Sequence, residues 1–134
     1  MAIDQKILVV EQNSTAAESL KKQLGHLGYS KVEWAVDGKS ALDLVRKYKP
    51  SLALIDYFIA GQVDSIELAD LLRREYHTAI IFLMQTENSD FLNRAQIVNP
   101  FGYLFKPVQN QVLEAVIHNA IGKLQLEQRL EERE

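Results

Sequence analysis

Cysteine is absent from this chain of 134 residues, which excludes disulfides, thiolate nucleophiles and cysteine-based zinc sites while saying nothing about compartment. Long apolar runs are absent too. None approaches the roughly 18 to 20 residues that span a bilayer, and the N-terminus lacks the basic stretch and apolar core of a secretory signal. The expectation is a cytoplasmic protein without membrane contact, so the sequon Asn13-Ser14-Thr15 carries no weight. Positive charge is in short supply: Lys and Arg number 15 against 18 Asp and Glu, a formal net charge of −3. Nonspecific nucleic-acid binding draws on an excess of basic side chains, so no direct nucleic-acid binding is expected and a protein partner fits better. The chain also lacks the GxxxxGK phosphate loop, the GxSxG elbow and HExxH. His26, His77 and His118 fall on three different predicted helices or their ends, without metal-ligand spacing.

What is present reads as one soluble domain, 47% hydrophobic and 25% charged. Lys6 to Val10, KILVV, is a short branched run suited to a strand buried on both faces. Ala16, Ala17, Leu20, Leu24 and Leu27 follow at helical spacing behind the potential caps Asn13 and Ser14, and Gly28 closes the helix. The same rhythm continues: a strand over Val32 to Val36, then a helix with Ala41, Leu42, Val45 and Tyr48 on its inner stripe, ending before Pro50. A strand over Leu52 to Ile55 precedes an amphipathic helix through Ile66, Leu68, Ala69, Leu71 and Leu72. Further on come a strand over Ala79 to Leu83, a weaker helix around Asp90 to Ile97, a strand over Tyr103 to Phe105 and a long helix from about Asn110. Alternating strands and helices predict a doubly wound α/β fold, a five-stranded parallel sheet covered on both faces.

In such sheets the binding crevice lies outside the carboxyl ends of the strands. The residues there are Glu11 and Gln12, then Asp56 and Tyr57, then Met84 to Thr86, then Lys106 and Pro107. Glu11, Asp56 and Lys106 would put two carboxylates and one ammonium in one crevice, hard oxygen ligands beside an anion-pairing group. Those groups suit magnesium and a phosphoryl group better than zinc or copper.

The segments KILVVEQN, LALIDYFIAGQVDSIEL, IIFLMQ and FGYLFKP, in this order and spacing, resemble the receiver domains of response regulators over nearly the whole chain, Lys6 to about Leu124. The resemblance implies the flavodoxin-like (βα)5 fold with strand order 2-1-3-4-5. It makes Asp56 the phosphoacceptor, fed by a histidine kinase or phosphotransfer protein, and Lys106 the residue that pairs with a phosphoryl oxygen. Magnesium would be held by Glu11, Asp56 and the backbone carbonyl of Phe58. Tyr103 resembles the family's switch aromatic, whose rotation repacks a protein-binding surface on helix four, strand five and helix five. Chemistry beyond self-phosphorylation from a phosphodonor and slow self-dephosphorylation is not implied. Downstream, the resemblance implies a partner protein or a fused output domain.

Two positions depart from that pattern. Gln12 stands where the family has an Asp that ligates magnesium, so Gln12 is a weak ligand and the ion is expected to be held weakly. Met84 stands where the family has a Thr or Ser, so the switch hydroxyl is lost; Thr86 is a distant substitute. These departures keep a second reading open, a phosphorylation-independent pseudo-receiver acting as an interaction or dimerisation module. A flavodoxin-like cofactor binder shares the architecture, but the chain lacks a phosphate-cradling loop after strand one. The division expected is a receiver domain over 1–124 and a charged helical extension over 125–134, a linker or the start of a coiled coil that pairs two copies as a homodimer.

Overall fold

The strands β1 (Ile7–Val10), β3 (Leu52–Asp56) and β4 (Ala79–Met84) are buried at every position. Continuous branched apolar runs end up this way when helices cover both faces of a parallel sheet. The computed structural model describes residues 4–59, 61–85 and 88–133. Two further strands, β2 (Val32–Ala35) and β5 (Gly102–Phe105), complete a five-stranded sheet of order β2-β1-β3-β4-β5 in which every pairing is parallel. The fold is therefore the doubly wound, flavodoxin-like (βα)5 arrangement. β2 lies at an edge and stops one residue short of the predicted strand, leaving Val36 exposed.

Five helices connect and cover these strands: α1 (Ser14–His26), α2 (Gly38–Tyr48), α3 (Ser65–Tyr76), α4 (Ser89–Ala95) and α5 (Asn110–Arg133). Four begin on a short polar side chain that accepts a bond from an unpaired amide of the first turn. Asn13 accepts from Ala16, Asp37 from Ser40, Asp64 from Glu67 and Asn88 from Phe91. The predicted helix around Asp90 to Ile97 divides, because α4 tightens into a 3₁₀ turn at Gln96–Val98 that closes on Asn99 in the left-handed region ahead of Pro100.

Alternation along the strands divides the core. Ile7, Val9, Leu52, Leu54, Ile81 and Leu83 pack with Leu20 and Leu24 of α1 and Leu113 and Ile117 of α5. Leu8, Val10, Ala53, Ile55, Ile80 and Phe82 pack with Val45 of α2, Leu68 and Leu72 of α3 and Phe91 of α4. The buried stripe of α5 runs through Leu113, Ile117, Ala120 and Leu124, with Ile121 beside it half-buried.

Beyond Leu124 the helix continues without a break to Arg133, where Leu126 and Leu130 are each about half exposed (51% and 52%). Arg73 of α3 holds this stretch. Its two terminal nitrogens donate to the carboxylate of Glu127 at 3.3 and 3.2 Å, and its guanidinium lies 4.7 Å from the ring centroid of Phe101. Arg73→Ala is expected to raise hydrogen exchange of the amides of 125–132 about tenfold while sparing those of Leu113 to Ala120. Equal protection in both segments would show that the extension is not held through Arg73.

Gly38 opens α2 where a Cβ would sit 2.8 Å from Val63 Cβ and 3.0 Å from its carbonyl oxygen. Alanine would favour the helix intrinsically, but here overpacking outweighs that gain. Gly38→Ala is expected to destabilise the fold by about 1–3 kcal/mol, read as a lower urea midpoint; an unchanged midpoint would show that the 61–63 turn gives way freely.

Candidate functional site

Three charged side chains meet at the carboxyl end of the sheet. Glu11 follows β1 directly and is 2% exposed, and Asp56, the last residue of β3, is 6% exposed. Lys106 follows β5, with its backbone amide bonded to the carbonyl of Met84 at 2.7 Å and a cis peptide to Pro107. Its ammonium donates to Glu11 Oε1 through a short bond and to Asp56 Oδ2 at 2.8 Å. One cation thus bridges two buried carboxylates from neighbouring strands.

Backbone contacts fix each carboxylate further. Asp56 Oδ1 accepts from the amide of Phe58 at 3.1 Å and Glu11 Oε2 from that of Asn13 at 3.4 Å. Two anchors were not apparent in the sequence. The Trp34 indole donates to the Glu11 carbonyl at 2.6 Å, and Ser65 at the start of α3 donates to the Tyr57 carbonyl at 2.7 Å. The pairing of Val9 with Trp34 across the β1–β2 ladder is what brings the indole within reach.

Above the triad lies a cleft of about 500 Å³, lined also by Gln12, Thr15, Tyr57, Phe58 and Gln85. Gln12 and Gln85 are exposed, and Phe58 is 61% exposed at the rim. Met84 is not part of this lining. Its side chain is fully buried in the core on the α2–α4 side of the sheet. Tyr103 is half-buried, its ring stacked 6.0 Å from that of Phe82. Thr86 lies outside the described residues. Among the described residues, no group of three or more His, Cys, Asp or Glu is placed to hold a metal ion. No helix among them is long and apolar enough to cross a membrane.

The electrostatics follow from two carboxyls sharing one ammonium. Burial pushes the Glu11 carboxyl above the usual glutamate range, and the nearby Asp56 carboxyl adds to this against the pull of Lys106. For Lys106 burial alone would favour the neutral amine, but its bonds to Asp56 and Glu11 outweigh that and raise its affinity for the proton. The arrangement holds a fixed cation next to a buried carboxylate that lines the cleft, which suits an incoming anionic group.

Residues 7–118 match the family model for the response regulator receiver domain. The chain belongs to that family. It is 34% identical over 117 residues to the positive alginate biosynthesis regulatory protein of Pseudomonas aeruginosa, covering 85% of this chain and 46% of that protein. It is 28% identical over 124 residues to a chemotaxis protein CheY homolog of Campylobacter jejuni, covering 87% of this chain and 92% of that one. Among solved structures, the signal receiver domain of a modulated diguanylate cyclase from Desulfovibrio desulfuricans G20 superposes with a TM-score of 0.87 at 36% identity, covering 92% of this chain and 98% of that one. This receiver spans about half the length of several of the curated relatives that it matches.

Because the native pKa of Glu11 is raised, its proton binds more tightly in the folded receiver than in the unfolded chain. The associated stability is complete below the ordinary glutamate range and is lost as pH rises through the native value. The stability of the wild type relative to Glu11→Gln is therefore expected to decline between about pH 4 and neutrality. Urea unfolding of both proteins across that interval measures it; a difference that grows with pH would show that Lys106 outweighs burial at Glu11.

Proposed function

We propose that this receiver domain accepts a phosphoryl group on Asp56 from a histidine kinase or phosphotransfer protein and passes the signal on through a protein surface. Membership of the family supports a role in phosphorelay signalling. The observation that carries the finer reading is the buried Asp56 carboxylate, 2.8 Å from Lys106, at the base of an open cleft. In the transfer, an Asp56 oxygen bonds to phosphorus as the donor's P–N or P–O bond breaks, leaving an acyl phosphate on the protein. Lys106 pairs with a phosphoryl oxygen and offsets its charge.

Glu11, Asp56, the Phe58 carbonyl and the amide oxygen of Gln12 are the groups that would hold magnesium. Two carboxylates with neutral oxygen donors fit an ion that keeps several of its waters. Bound there, magnesium offsets charge on the transferring group. Gln12 contributes no charge, so the hold is weak. Residues 1–124 form the receiver unit in this reading. The stretch 125–134 serves as a linker toward an output domain or as the start of a coiled coil between two copies.

The full burial of Met84 favours a second reading, an interaction module whose contacts do not depend on phosphorylation. Incubation with magnesium and acetyl phosphate separates the two. A single phosphoryl mass increase is expected in the wild type and not in Asp56→Asn. No increase at any magnesium concentration would remove the phosphoacceptor reading and leave the interaction module.

A further inference from the structure

Four aromatic rings lie in contact from the residue beside Asp56 to the outer strand of the sheet. Tyr57, directly after Asp56, meets Phe91 of α4 edge-on, with centroids 5.6 Å apart and planes at 75°. Phe91 meets Phe82 of β4 at 5.1 Å and 90°, and Phe82 stacks on Tyr103 of β5 at 6.0 Å and 25°. Phe82 is fully buried and Phe91 nearly so, at 6% exposure. The last ring, Tyr103, borders a shallow concavity with Leu92, Gln96, Asn99 and Pro100.

The first ring is tied to the site by its backbone. The Phe58 amide bonds to Asp56 Oδ1 and Ser65 Oγ holds the Tyr57 carbonyl, so Tyr57 sits on a peptide clamped between the carboxylate and α3. A change of charge or size at Asp56 acts on the first of these bonds and re-aims the Tyr57 peptide. Close-packed rings respond to such a shift by moving to another packing rather than by compressing. Position 84, where a hydroxyl would provide a polar route between site and Tyr103, carries a buried thioether that donates no such bond.

We propose that Phe91 is a positioning residue that couples the state of Asp56 to Tyr103, through the ring series Tyr57, Phe91, Phe82 and Tyr103. Only the phosphorylated form of the coupling rests on the phosphoacceptor reading. A competing route exists through Lys106, which is bonded to Asp56 and lies three residues beyond Tyr103. Loss of Phe91 would leave that route untouched.

The test is fluorine NMR on protein labelled with 3-fluorotyrosine, with the Tyr103 signal assigned from Tyr103→Phe. Tyr29, buried on the opposite face of the sheet, is the internal control. Asp56→Asn is the perturbation and requires no phosphodonor. It is expected to shift both Tyr57 and Tyr103. In Phe91→Leu the Tyr103 shift should fall to less than half while the Tyr57 shift persists, and Phe91→Tyr should restore it. Should Phe91→Leu fail to fold, Phe82→Leu breaks the series at its next ring and carries the same expectation. An undiminished Tyr103 shift without Phe91 would overturn the proposal in favour of the Lys106 route, and a silent Tyr103 in the Asp56→Asn protein would overturn it altogether. Repeating the measurement with acetyl phosphate and magnesium, with the phosphoryl mass followed in parallel, distinguishes the two readings. Absent mass increase counts against phosphorylation, whereas a mass increase with Tyr103 unmoved counts against the coupling.

Discussion

Two carboxylates removed from water require a cation, and Lys106 provides it. Glu11 and Asp56 end adjacent strands, but Lys106 comes from β5, on the far side of β4 from Asp56. Its ammonium therefore crosses the end of β4, and its backbone amide is bonded to the Met84 carbonyl along the way. An ion pair buried to this degree costs several kcal/mol in desolvation, recovered only when geometry and hydrogen bonding are good, and removing one partner leaves an uncompensated charge. The triad thus fixes how the ends of β1, β3 and β5 sit relative to one another. Any chemistry in the cleft begins from that arrangement.

One ammonium between two carboxyls leaves the site short of positive charge, and Asp56 thereby adds to the effect of burial in raising the proton affinity of Glu11. A third acid in the β1–α1 loop would deepen that deficit. Gln12 places a neutral amide there, so the site is less crowded with like charge and also less able to draw in a divalent cation. The same neutral amide that limits repulsion among the acids also offers a divalent cation less charge.

The fold was legible because its signals are local. A run such as AIIFLM from Ala79 to Met84 is apolar at every position, and a strand of that kind belongs between two helical layers. The start of the first helix was marked by Asn13, whose side chain does cap. Strand ends also located Glu11, Asp56 and Lys106, since parallel topology sends the residues after each strand to one edge. What stayed hidden depends on register and on side-chain direction. Trp34 reaches Glu11 only because β2 pairs with β1 in one particular register. Arg73, Phe101 and Glu127 come from three separate elements, with nothing in their spacing to connect them. The ring series joins positions 57, 82, 91 and 103, which share no period.

At position 84 the main chain and the side chain serve different ends. The carbonyl of Met84 anchors Lys106 and so belongs to the electrostatics of the site, whereas its thioether fills the core beside Phe82 and Phe91. A hydroxyl there would be a polar group in an apolar environment, worth keeping only if a partner in the cleft satisfied it. Methionine removes that requirement and packs adaptably against rings. The site is thus built from charges and backbone, with no polar side chain contributed by position 84. On that face of the sheet the core beside Met84 includes the contacting rings of Phe91, Phe82 and Tyr103.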